Sequence, residues 1–153
     1  MLLYMSNGTE QEQSTPRHSV SVAGAVVRAD GKLLMIRRRD NGRWEPPGGV
    51  LELEETVEAG VEREILEETG VSVEVERLTG VYKNMPRGIV ALFFRCRPVE
   101  GEAAPTEESS QVTWMTPDEA ATHMNEAYAV RVLDALDDST GPHVRAHDGR
   151  VLV

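Results

Sequence analysis

The chain has 153 residues, 40% hydrophobic and 27% charged, enough for one domain around a single core. Its formal charge of −10 argues against binding a nucleic-acid polymer, and no apolar run approaches the ~20 residues that span a bilayer, so no membrane partner is expected. The single cysteine, Cys96, excludes an internal disulfide framework; with no basic start to a secretory signal in MLLYMSNGTEQEQ, a cytoplasmic location is expected.

Residues 1–16 are polar and aperiodic after Tyr4 and read as a flexible N-terminal tail. Ser19 to Arg28 is valine-rich and reads as a strand, Asp30-Gly31 as a two-residue hairpin turn, and Lys32 to Arg38 as the partner strand. Asn41-Gly42 marks a second turn. The run Trp44-Glu45-Pro46-Pro47-Gly48-Gly49 cannot be helical and predicts an extended segment ending in a tight backbone loop. A helix is expected over Glu55 to Thr69, with Gly70 at a left-handed C-terminal cap. Val71 to Arg77 alternates as a strand does; Tyr82 to Arg87 reads as a loop. Gly88 to Pro98 is the most apolar strand, with Leu92, Phe94 and Cys96 on one face and Cys96 in the core. An exposed acidic loop, Glu100 to Ser110, leads to a strand at Gln111 to Met115. Thr116-Pro117-Asp118-Glu119 is a helix start, and Ala127 to Leu136 has helical spacing, ended by Gly141-Pro142. Residues 17–138 form the expected domain; 139–153 are a C-terminal extension with a small hairpin about Asp148-Gly149. His143 and His147 are too few ligands for zinc.

Between Glu52 and Glu68 lie eight glutamates and one basic residue, Arg63. Like charges three and four apart on a helix repel, and a merely solvated face would interleave lysines. At about 100° per residue, Glu64, Glu67 and Glu68 converge on one patch, while Glu58 and Glu62 point to water. Val57, Val61 and Ile65 flank the patch on one side and Ala59 and Leu66 on the other, which predicts packing against more than one layer. A cluster of hard oxygen donors in a partly enclosed place suits Mg²⁺ or Mn²⁺, with the Gly48 carbonyl as a further donor. An acidic solvated face is the plain alternative.

The flanks weigh against that alternative. Gly49, five residues, Glu55, seven residues, then Arg63-Glu64-Ile65-Leu66-Glu67-Glu68-Thr69-Gly70-Val71 resembles the Nudix signature at every fixed position. The chain is similar to Nudix hydrolases over about residues 18–137, with Trp114 and the Pro-Asp-Glu helix start closing the domain. The resemblance implies an α/β (α+β) fold, an α/β/α sandwich with a mixed sheet between helices. It implies hydrolysis of a diphosphate bond in a small nucleoside diphosphate linked to a further group, and Mg²⁺ dependence with Mn²⁺ as a substitute. Gly48, Glu64, Glu67 and Glu68 are the implied metal-binding residues; Glu55 and Arg63 the supporting ion pair; Gly49 and Gly70 the glycines of the box. Glu64, Glu67 and Glu108 are the implied catalytic residues, with Glu64 and Glu108 (or its neighbour Glu107) the candidates for taking the proton from water. Glu52 matches a frequent acidic loop position, and Glu54 stands where many members have glycine.

Substrate-side candidates are Arg37, Arg38 and Arg39 for phosphates and Trp44 for stacking, with solvent and packing as their ordinary roles. Tyr82, Lys83 and Arg87 are expected on a loop near the site. Pro86 resembles a feature of ADP-ribose hydrolases, whereas the Trp-Glu-Pro-Pro-Gly-Gly lead-in resembles MutT-type enzymes that take nucleoside triphosphates. Homodimers are common in the family. A non-catalytic module that senses a nucleotide or binds a partner is the alternative, and an acidic metal-buffer helix a weaker one.

Overall fold

A computed structural model describes residues 14–138 and 141–153, so the expected N-terminal tail falls almost wholly outside the described residues. The elements in chain order are β1 (Ser19–Val26), β2 (Leu33–Arg38), β3 (Trp44–Glu45), β4 (Gly48–Val50), α1 (Val57–Thr69), β5 (Ser72–Asn84), β6 (Ile89–Glu100), β7 (Ser109–Met115), α2 (Pro117–Thr122), α3 (Glu126–Leu136) and β8 (His143–His147). They form a mixed five-stranded sheet, ordered β4-β1-β6-β5-β8, and a three-stranded sheet, ordered β3-β2-β7. In the first, β1 runs parallel to β6 and β5 parallel to β8. The second is antiparallel throughout.

Alternation along β1 and β2 sends side chains into two cores. Val22, Val26 and Leu34 pack with Val61 and Ile65 of α1. Ala25, Leu33 and Met35 pack with Ala120, Val132 and Ala135 of α2 and α3. Sheet between helices is the expected sandwich class. Cys96 is in the α1-side core, fully buried. No helix among the described residues is long and apolar enough to cross a membrane.

Several boundaries differ from the sequence reading. The Asp30-Gly31 turn forms, with Gly31 at φ +86°, but its strands meet only at a bridge between Val27 and Leu33. Turn chemistry sets the reversal. The longer pairings, β1 with β6 and β2 with β7, then carry the two strands into different sheets. Helix α1 starts at Val57 because Thr56 caps it, its Oγ accepting from the Ala59 amide at 3.2 Å. Ala59 and Leu66 are exposed, so the apolar contact of α1 is made by Val61 and Ile65, which meet Val22 and Val26 of the five-stranded sheet and Leu34 of the three-stranded one. Gly48 and Gly49 lie in β4, paired antiparallel with β1, instead of forming a tight loop. Strand β5 extends to Asn84, so Tyr82 is a strand residue and buried. Helix α3 ends at Leu136, before Gly141-Pro142.

The C-terminal segment joins the main sheet as β8, beside β5. A turn through Asp148-Gly149 follows, and His147 bridges antiparallel to Leu152. One buried carboxylate ties β8 to the rest. Asp134 of α3 accepts from Tyr82 Oη at 2.8 Å and from Arg145 Nε and Nη2, both at 2.8 Å. Removing it leaves the buried Tyr82 hydroxyl unpaired and takes the bidentate partner from Arg145. We expect Asp134→Ala to cost about 2–3 kcal/mol, below the full value for a buried pair because Arg145 is partly exposed. Urea denaturation checks this; a loss under about 0.5 kcal/mol, ordinary for a surface site, would deny the tie a structural role.

Candidate active site

The box glutamates are sorted by what Arg63 holds. Arg63 Nε and Nη2 grip both oxygens of Glu55, at 2.8 and 2.6 Å, in the bidentate fork that guanidinium favours. Its Nη1 donates to Glu64 at 2.9 Å and Glu67 at 3.2 Å. Its Nη2 also approaches the Val50 carbonyl at 3.3 Å, and Glu52 lies at 3.8 Å from Nη1. Glu55 accepts from the Glu52 amide at 2.9 Å, which stitches the loop to the helix. Arg63 holds the Glu55 carboxyl down to about 2, helped by that amide.

One turn further on, Glu68 reaches under β4 and accepts from the Gly48 amide at 2.7 Å. A Cβ at Gly49 would sit 2.6 Å from the Glu64 carboxylate, so any side chain there would displace that carboxylate. Gly70 closes the helix at φ +78°, where its amide donates to the Leu66 carbonyl. Glu64, Glu68 and Glu108 each bring one carboxylate oxygen within 4.8 Å of the others. The loop bearing Glu108 is pinned by Thr106, whose Oγ accepts from the Glu108 and Ser109 amides at 3.3 and 3.1 Å. Arg39 adds to this, donating from Nε to the Thr106 carbonyl at 2.9 Å and from its amide to the Glu108 carbonyl at 3.0 Å.

A cleft of about 650 Å³ holds this cluster, with Arg38, Arg39, Gly48, Gly49 and Glu107 also in its wall. Residues 17–136 match the NUDIX domain. The chain belongs to the Nudix family. It is 63% identical over 153 residues, 100% of this chain and 98% of the relative, to a MutT-like protein of Streptomyces ambofaciens. It is 35% identical over 101 residues, 61% of this chain and 60% of the relative, to an ADP-ribose pyrophosphatase of Methanocaldococcus jannaschii. A crystal structure of a NUDIX hydrolase from Nitrosomonas europaea shares the fold with a TM-score of 0.73 at 22% identity, covering 88% of this chain and 82% of that one.

This Nudix hydrolase brings together Gly48, Gly49, Glu64, Glu68 and Glu108, and joins Glu55, Glu64 and Glu67 through Arg63. Glu67 is exposed and meets Glu64 only on the shared Arg63 nitrogen. Among the outer candidates, Arg37 is tied to its own turn, Nε to the Gly42 carbonyl at 3.0 Å. Tyr82 is withdrawn from the surface, its hydroxyl spent on Asp134. Trp44 lies 5.7 Å from the His123 ring, beside an outer cleft that Arg87 and Tyr128 also line. Sequence reasoning passed over Glu45, Tyr128 and Arg131, which line a pocket next to the acidic cleft. For Arg131 a signal was available: it falls four residues from Ala127 and from Ala135, on the buried stripe of α3.

The donor set fits a hard divalent cation. Burial pushes Glu68 up to about 8, with Glu64, Glu45 and Glu108 adding like-charge repulsion against the Gly48 amide. Burial raises Glu64 too, against the pull of Arg63. A cation among them reverses the penalty, so the three carboxylates are arranged for a charge they lack by themselves. The consequence for stability has a definite sign. Between an ordinary 4.5 and about 8, the folded chain keeps a proton on Glu68 that the unfolded chain has lost. Metal-free protein should therefore lose stability as pH rises through that window and level off above it. Glu68→Gln, which keeps an acceptor for the Gly48 amide, should flatten the loss. Thermal melts in EDTA from pH 4.5 to 9 check it, and an unchanged pH slope in the variant would refute the assignment.

Proposed function

We propose that this enzyme hydrolyses the diphosphate bond of a small nucleotide, either an ADP-ribose-like compound or a nucleoside triphosphate, with Mg²⁺ or Mn²⁺. The observation that carries the reading is the convergence of Glu64, Glu68 and Glu108 within one cleft that Arg38 and Arg39 also line. The ADP-ribose class is supported by the name of one relative, an ADP-ribose pyrophosphatase, and the triphosphate class by the Trp44-Glu45-Pro46-Pro47-Gly48-Gly49 lead-in, which resembles that of MutT-type enzymes. A module built only to sense a nucleotide has no use for a complete carboxylate cluster.

Gly48, Glu64, Glu67 and Glu68 would hold the ion. Mg²⁺ held there would supply positive charge against the phosphate and lower the pKa of water in the site. Arg38 and Arg39 stabilise the charge that builds on the phosphate and its leaving group. The proton of the attacking water goes to Glu108. Glu64 and Glu67 each have a carboxylate oxygen already engaged by the Arg63 guanidinium. Glu108 has no such cation: its carboxylate forms no hydrogen bond or ion pair among the described residues, and the Thr106 turn fixes the backbone beneath it. Arg63 and Glu55 hold the ligand-bearing turn of α1 against the loop.

The test is turnover of ADP-ribose, dinucleoside polyphosphates, nucleotide sugars and nucleoside triphosphates with Mg²⁺ or Mn²⁺, products identified by mass. Glu64→Gln and Glu68→Gln should each remove most activity. Glu108→Gln should lower kcat by ~10²–10⁴ with little change in KM, the usual contribution of a general base. No turnover on any of these compounds, or full activity in a Glu67→Gln/Glu68→Gln double variant, would overturn the reading.

A further inference from the structure

A second pocket, of about 180 Å³, shares Ser21, Arg38, Gly48 and Gly49 with the acidic cleft and continues to Glu45, Phe93, Tyr128 and Arg131. It is smaller than the ~300–1,000 Å³ of a pocket for a drug-sized ligand, so it takes one ring system and not a whole nucleotide. Arg131 in its wall is only 8% exposed. The guanidinium lies over the rings of Tyr82 and Tyr128, at 5.0 and 4.5 Å. It forms no salt bridge among the described residues, and its Nε has no hydrogen-bond partner.

Its one side-chain hydrogen-bond partner among the described residues is itself contested. Arg131 Nη2 lies 3.0 Å from His147 Nε2, and the Gly149 amide approaches Nδ1 of the same ring at 3.0 Å. A neutral imidazole accepts at one nitrogen only, so the ring cannot satisfy both donors. A buried guanidinium with donors to spare calls for an acceptor that the protein does not supply. Glu45, in the same wall, is an acceptor whose charge is shared with Arg38 at 3.3 Å.

Resting on the nucleoside-triphosphate branch of the reading above, we propose that this pocket receives the nucleobase and that Arg131 selects a 6-oxopurine over a 6-aminopurine. A guanidinium donates in parallel to O6 and N7 of a 6-oxopurine. The same edge of adenine offers an amino donor, which a donor-only side chain rejects. Glu45 accepts from the ring N–H that the oxo form carries and adenine lacks. The wall behind Arg131 comes partly from outside the family match, which ends at residue 136, since His147 and Gly149 belong to the C-terminal segment.

Calorimetry with GMP, IMP and AMP in EDTA reads the base without the reaction. GMP and IMP should each bind at least about ten-fold tighter than AMP, the scale of one bidentate pair. Arg131→Lys keeps the charge but loses the fork and should erase the preference, as should Glu45→Gln should the lysine variant fail to fold. With Mg²⁺, the ratio of kcat/KM for GTP over ATP should fall about ten-fold in the same variants, chiefly through KM. AMP binding as tightly as GMP and IMP, or variants that weaken all three alike, would overturn the proposal. Hydrolysis of nucleotides with equal kcat/KM for GTP and ATP removes this inference alone; no binding and no hydrolysis of any nucleotide removes the functional reading with it.

Discussion

Arg63 clasps both oxygens of Glu55 from one side of its guanidinium and reaches Glu64 and Glu67 from the other. It is the only cation within a run that carries eight glutamates, and the helix would repel itself without it. The fork also sets geometry. Because Glu55 precedes the Thr56 cap, gripping it fixes the angle at which the loop enters α1. That angle lays β4 beside β1 and brings the Gly48 amide onto Glu68. A lysine could neutralise one carboxylate but could not span Glu55 and Glu64 with a rigid fork. Arg63 therefore neutralises the loop side of the box, shares one nitrogen between Glu64 and Glu67, and leaves the buried Glu68 with no cation among the described residues.

That shortage is sustained by packing. Glu68 lies under β4, where water is too scarce to solvate its charge, and glycine at 49 lets the strand come close enough to Glu64 to exclude more. The stability that the carboxylates give up is offset by the two apolar cores on either side of the main sheet. The second sheet completes the arrangement. Strand β2 leaves β1 at the Asp30-Gly31 turn and pairs with β7, and its end carries Arg38 and Arg39 to the rim of the acidic cleft. Had β1 and β2 remained a hairpin, those arginines would lie along the main sheet. The departure of the strands is what brings basic groups beside the acidic ones in one cleft.

The parts legible in the sequence were those fixed by local chemistry. Turn glycines, the proline pair, the Thr116 capping box and the period of α1 and α3 each act within a few residues, and the box acts through spacings of three and four along a helix. What escaped was set by distance along the chain. The choice of partner strand depends on total pairing, β1 with β6 across about 70 residues of sequence, and no turn dipeptide encodes it. Tyr82 read as a loop residue because Pro86 lies nearby, yet the apolar face of β6 extends far enough to hold β5 through Asn84. Glu108 was found only as one of two neighbours, since the Thr106 turn and its contact with Arg39 decide which of them faces Glu64 and Glu68. Arg131 was missed because a lone arginine on a helix reads as a surface charge unless its neighbours at four-residue spacing are weighed with it.

Arg131 also changes how the C-terminal segment is understood. One role of strand β8 is to cover the edge of β5, where open backbone groups invite pairing with another chain. A cover needs no buried histidine and no salt bridge to α3. Here Asp134 binds Arg145 of β8 while Arg131, one helical turn earlier, meets His147 at the end of the same strand. The two contacts lie on one side of α3 and differ in completeness: Asp134 has Tyr82 and Arg145 as partners, and Arg131 has one ring nitrogen in dispute. The satisfied contact holds the strand in place. The unsatisfied one faces the pocket beside the acidic cleft, so the same short strand fastens the domain and leaves a buried donor for whatever base enters there.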